Sequence, residues 1–98
     1  MDWLIPWHAE SSPQAATGLA REVCPGHPLW QLPVRVLARR QDCDDVLFAL
    51  EDGTGRVAVV HLTYQAAHDP LWPSVELFDD FEDFRRRRMQ LDHEAFVA

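Results

Sequence analysis

The chain has 98 residues, 47% of them apolar and 26% charged, with a net charge of −7. That length fits one domain, residues 1–98, with a core that withdraws only roughly 60–70% of the unfolded surface from water. The acidic balance repels phosphate backbones and so argues against a nucleic-acid partner, and the absence of any lysine excludes Schiff-base or P-loop chemistry.

The first residues, MDWLIPWHAESS, lack a positive n-region and are broken by Pro6 and His8, so they do not read as a signal peptide. No apolar run approaches the ~18–20 residues that span a bilayer. The two cysteines, Cys24 and Cys43, make no disulfide framework, and whether they pair is open. A reduced, cytoplasmic protein that does not contact a membrane is expected. Arginine, valine, alanine and aspartate stand where lysine, isoleucine and asparagine are scarce, the bias of a GC-rich bacterial genome. Residues 1–10 carry Trp3, Leu4, Ile5 and Trp7. They are too apolar for a free tail and are expected to pack on the domain or form an interface.

Ser11-Ser12-Pro13 predicts a helix start, because serine accepts from orphan N–H groups and proline suits a first turn. The helix is expected to run to Val23 or Cys24, with Ala16, Leu19, Ala20 and Val23 on one face, until Pro25 and Gly26 stop it. An ordered loop, GHPLWQLP, follows. Three strands are then expected. The first, Val34 to Arg40, has Val34, Val36 and Ala38 on one face. The second is Val46 to Glu51, and the third is Arg56 to Tyr64. The acidic run at 42–45 reads as a turn and Asp52-Gly53-Thr54-Gly55 as a hairpin loop.

After a loop with Pro70, Trp72 and Pro73, Val75 to Phe78 reads as a short extended piece. Asp79 and Glu82 match a capping box for a helix from about Asp80 to Gln90. Its acids precede its arginines, as the helix dipole prefers. Glu82–Arg86 and Asp83–Arg87 are spaced as favourable pairs, each worth ~0.2–0.5 kcal/mol. Phe81 and Phe84 are expected to face the sheet, with Met89 or Leu91 completing the stripe. The fold class is therefore α+β: a three- or four-stranded antiparallel meander with an N-terminal and a C-terminal helix. The order is α-β-β-β-(β)-α, as a two-layer sandwich.

Chemistry-bearing residues form no complete constellation. His61 lies in the third strand on the face of Val57, Val59 and Thr63. It reads as a structural imidazole needing a hydrogen-bond partner, ahead of a base or ligand. Cys24-Pro25-Gly26-His27 has no second pair to make a zinc site, and a thiol at a helix end is poorly placed for activation. The acidic 42–45 turn has glycine where a calcium loop needs glutamate. Arg85 to Arg88 tempts a nucleic-acid reading, but the acids of the same helix favour an internally paired, solvated face. Trp30 and Trp72 lie in proline-rich irregular segments, where tryptophan serves either a core or a binding hot spot.

GHPLW (Gly26 to Trp30), DDVLFALEDG (Asp44 to Gly53), VAVVHLTY (Val57 to Tyr64) and LWPSVELFDDFEDF (Leu71 to Phe84) together resemble a family of short, uncharacterised bacterial proteins. Its pattern is DDVLF, AVVHLTW, WP and F in that order, with Tyr64 here in place of the tryptophan. The resemblance spans Gly26 to Phe84 and implies no activity, cofactor or catalytic residue.

The expectation is an accessory domain that binds a protein partner, a second copy of itself included, without catalysis, metal or cofactor. Its candidate surface is His27, Trp30, His61, Thr63, Tyr64 and Trp72. Two alternatives stand beside it. One is a small ligand-binding or metal-dependent enzyme centred on His61, with His27 and His68 converging. The other is an immunity- or antitoxin-like inhibitor whose acidity suits a basic toxin.

Overall fold

The computed structural model describes residues 3–67 and 69–98. Its centre is a five-stranded antiparallel sheet in the order β1-β2-β3-β4-β5. The strands are β1 (Trp7–Ala9), β2 (Val34–Arg40), β3 (Asp45–Leu50), β4 (Val57–His61) and β5 (Val75–Phe78), with α1 (Gln14–Glu22) between β1 and β2. The order is thus β-α-β-β-β-β followed by helix. The N-terminal segment supplies the strand that the sequence did not predict, and the extended piece at Val75 is the fifth.

The C-terminal helix begins as α2 (Phe81–Phe84), continues through a π-helical turn (Arg85–Met89) and ends as α3 (Gln90–Val97). Its backbone is helical at both junctions, so it is one helix. It outruns the expected end at Gln90. The start is also one residue later than the expected box. Asp80 accepts from the Asp83 N–H at 2.7 Å, and the Asp83 carboxylate accepts from the Asp79 N–H at 3.0 Å. Asp83 pairs with Arg87 as expected, whereas Glu82 pairs with Arg85 instead of Arg86.

Alternate residues of the strands feed two cores, one on each face of the sheet. On one face, Val46, Phe48, Ala58 and Val60 pack with Leu19 and Val23 of α1. On the other, Leu47, Val57 and Val59 pack with Trp7, Phe78, Phe84 and Met89. The two helices therefore cover opposite faces, giving three layers where two were expected. This explains why β4 is apolar on both sides.

A β-bulge divides β2. Val36 opposes Phe48, and Ala38 opposes the adjacent Leu47, so two steps on β2 match one on β3. Val36 packs on the α1 side and Ala38 on the other. The predicted common face for Val34, Val36 and Ala38 fails at this bulge.

The π-turn has a similar effect on the helix. Residues five apart point about 140° apart on an α-helix of about 3.6 residues per turn. The wider turn brings Phe84 and Met89 into the same core, both at or below 1% exposure, and leaves Leu91 outside. Around Phe84, the Trp7 and Phe78 rings stack edge-on at 5.1 and 5.6 Å between centroids.

Candidate functional site

Two groups of polar side chains hold the surfaces that the sequence marked as candidates. The first is centred on Arg88. The π-turn aims this guanidinium back at the sheet, where Nε donates to Asp92 at 2.8 Å, Nη1 to Glu76 at 3.2 Å and Nη2 to Asp45. Burial opposes the Arg88 charge, but Asp92 and Asp45 more than offset it and hold its pKa above the ordinary value. Asp92 also accepts from the Trp7 indole N–H at 2.8 Å. A buried tryptophan thus finds its one polar partner in the same network, which ties β1, β3, β5 and the C-terminal helix together.

His61 joins the network at its rim. Asp45 and His61 are directly opposed on β3 and β4, and His61 Nδ1 lies 2.7 Å from Asp45 Oδ1. Asp45, His61, Ser74 and Glu76 at the sheet and Arg88 from the helix surround an open depression of about 360 Å³. The imidazole is half exposed, and its Nε2 has no partner among the described residues. An imidazole oriented by a carboxylate can exchange protons. No nucleophile is bonded to it among the described residues, however, and no group of three His, Cys, Asp or Glu side chains there is arranged to hold a metal ion.

The second group holds two loops, 24–33 and the described residues of 62–74. Glu22, the last residue of α1, is 5% exposed. Its carboxylate accepts from the Thr63 N–H and Oγ1, both at 2.7 Å, and from the Tyr64 N–H at 3.0 Å. His27 is 4% exposed. Its Nδ1 accepts from the Leu29 N–H at 3.0 Å, which puts the ring hydrogen on Nε2, donating to the Pro73 carbonyl at 2.8 Å. The Ala67 N–H donates to the Arg21 carbonyl at 3.0 Å. At Gly26, where φ is +99°, a Cβ would stand 3.1 Å from Pro70, so the loops touch through the missing side chain.

On these fixed loops, Trp30, Tyr64, Leu71 and Trp72 remain exposed, at 39%, 66%, 77% and 47%. Trp30 walls an apolar depression of about 330 Å³ against α1, lined by Ala16, Ala20 and Val23. Tyr64 borders another of about 330 Å³ beside Gly18 and Arg21 on α1.

No family model, no curated protein and no solved structure matches this chain. The resemblance rests on the four runs between Gly26 and Phe84 alone.

The six candidate residues separate by role. Trp30, Tyr64 and Trp72 are exposed on the stitched loops. His27 and Thr63 are the bonds beneath them. With both ring nitrogens engaged, His27 has none to offer a metal. His61 belongs to the Arg88 network instead, with a carboxylate partner. His68 lies outside the described residues. The four tryptophans divide evenly: Trp7 is core and Trp3 is half-buried against Phe81 at 5.4 Å, while Trp30 and Trp72 are exposed. Sequence reasoning missed Glu22, Asp45 and Asp92. The one available signal for Glu22 was a carboxylate closing a helix whose other face is apolar.

Neither cysteine has a disulfide partner; both are free thiols. Burial pushes the Cys43 thiol above its ordinary value, which disfavours the thiolate. Three of the four consecutive arginines are engaged within the domain: Arg85 with Glu82, Arg87 with Asp83, and Arg88 as described. Among the described residues no helix is long and apolar enough to cross a membrane.

Proposed function

We propose that this is a small bacterial accessory domain of the cytoplasm that binds a protein partner through the loop 24–33 and the described residues of the loop 62–74. It carries no catalysis of its own. One observation carries the reading. Large apolar side chains (Trp30, Tyr64, Leu71 and Trp72) are left exposed on loops that buried polar groups hold in one shape. Exposed aromatics on a mobile loop would lose binding free energy to ordering, whereas a loop fixed in advance avoids that cost. Tryptophan and tyrosine are also the side chains that most often dominate binding energy. The net charge of −7 suits a partner with a basic rim.

Affinity capture with the wild type and with the Trp30→Ala/Trp72→Ala variant tests this. Both side chains are partly exposed and neither belongs to the buried core, so the variant should still fold, with a modestly lower melting temperature. A discrete protein retained by the wild type and lost by the variant is expected. Equal retention overturns the assignment of the surface.

A second reading is favoured by the His61–Asp45 pair at its open depression: a ligand-binding or acid–base site. Native mass spectrometry of protein purified without chelator checks it. A bound small molecule or metal, lost in His61→Asn, supports this reading, and a clean apo mass removes its motivation.

A further inference from the structure

The sheet has two edges, and they are unequal. β1 is three residues long and follows Pro6. β5 is a regular strand of four residues, VELF, without lysine, proline or a bulge, and its one charge, Glu76, is paired with Arg88 of the same chain. Its hydrogen bonding can be read from the register. The His61 N–H donates to the Ser74 carbonyl at 3.1 Å. By the alternation of an antiparallel ladder, residues 74, 76 and 78 then direct their backbone groups at β4. Val75 and Leu77 direct theirs outward, to the open edge. Leu77 is also 37% exposed, on the face that α1 covers, at the strand farthest from β2.

We infer that β5 pairs antiparallel with β5 of a second copy, about a two-fold axis at Leu77, to make a continuous ten-stranded sheet. Among the registers that keep like faces together, those centred on Glu76 and on Leu77 overlap three residues of β5. If Glu76 met Glu76 of the second copy, two carboxylates would oppose each other, which is unfavourable. If Leu77 meets Leu77, the two exposed leucines cover one another on the α1 face. On the opposite face Glu76 then falls beside Phe78 of the second copy.

That position is already basic. The Arg87 guanidinium lies over the Phe78 ring, 4.9 Å from its centroid, and is half exposed. Glu76 is itself half exposed, and only its Oε1 is engaged, by Arg88. The Leu77 register therefore sets a carboxylate of each copy beside an arginine of the other, twice. It also satisfies both backbone groups of Leu77. Either register engages the outward-facing backbone of Leu77, so the choice between them rests on charge complementarity. This inference is independent of the loop surface proposed above.

The test is sedimentation of the full chain over a concentration series, with single thiols placed in a Cys24→Ser/Cys43→Ser background. Wild type should show a monomer–dimer equilibrium. Leu77→Arg should shift it toward monomer at least tenfold. Leu77→Cys should give a disulfide-linked dimer under mild oxidation, because paired Cα atoms about 5.5 Å apart lie within disulfide reach. Glu76→Cys should cross-link far less. A wild type that stays monomeric at millimolar concentration overturns the inference. So does preferential cross-linking through position 76, or a dimer that ignores Leu77→Arg. Trp30→Ala/Trp72→Ala should leave the dimer intact, so failure of the loop surface and failure of the β5 pairing are read separately.

Discussion

The Glu22 carboxylate of α1 accepts the backbone N–H of Tyr64 at 3.0 Å, and Tyr64 holds a φ of 59°. A non-glycine residue there is strained. The strain is sustained because Glu22 binds the two consecutive N–H groups of Thr63 and Tyr64 and the Thr63 hydroxyl, turning the chain sharply out of β4. The helix thus fixes the start of the loop that displays Tyr64 and Trp72.

Glu22→Ala removes the acceptor of three hydrogen bonds in a buried place. We expect a loss of about 2–3 kcal/mol in urea unfolding, in line with the cost of orphaned buried donors. Amide exchange at residues 63–66 should accelerate well beyond the global change. A loss confined to global stability, with the loop still protected, would count against the anchor.

Gln31 also has a left-handed backbone, with φ of 58°, and its side chain is exposed. Gln31→Gly relieves that strain at little packing cost. The melting midpoint should rise, corresponding to about 0.5–1 kcal/mol after the entropy of glycine is subtracted. A lower midpoint would show that the Gln31 side chain contributes contacts of its own.

Arg88→Met roughly keeps the side-chain volume but removes the cation shared by Asp45, Asp92 and Glu76. It leaves Asp92 with Arg40 at 3.5 Å and Asp45 with His61 at 2.7 Å. Asp45 and Asp92 are largely buried, with side-chain exposures of 12% and 15%. Removing one partner of such a group costs about 3–5 kcal/mol. With Arg40 and His61 still in place, chemical denaturation should show a loss at or below that range for a buried pair. A second substitution, Asp45→Asn, should then cost less than it does in the wild type, because Arg88 is already gone.

The Cys43 thiol is held above its ordinary value by burial. In a Cys24→Ser background, the iodoacetamide rate should climb with pH along a curve displaced upward from that of a free thiol. A curve displaced downward would mark an activated cysteine and reopen catalysis at this turn.

The β2–β4 meander was legible because valine and leucine recur in strands bounded by glycine and aspartate turns. What escaped was local and geometric. β1 is three residues beside a proline, too short to show alternation. The bulge at Leu37 flips Ala38 to the other face without altering composition. The π-turn moves Met89 into the core against a 3.6-residue period. The site was less legible than the fold. His61 and Asp45 are sixteen residues apart, and only the β3–β4 register makes them neighbours. Cys-Pro-Gly-His reads as a turn without a metal partner, but nothing in its spacing says what the His27 ring binds. Its real partner, the Pro73 carbonyl, lies forty-six residues away. Tertiary pairing of this kind leaves no mark in spacing.

The central claim is that the stitched loops are a binding surface. It is tested most directly by isothermal titration of the captured partner against the wild type and against Trp72→Ala. The account predicts that Trp72→Ala still folds and binds at least tenfold more weakly, a loss of about 1.4 kcal/mol. Equal dissociation constants for the two proteins would contradict it.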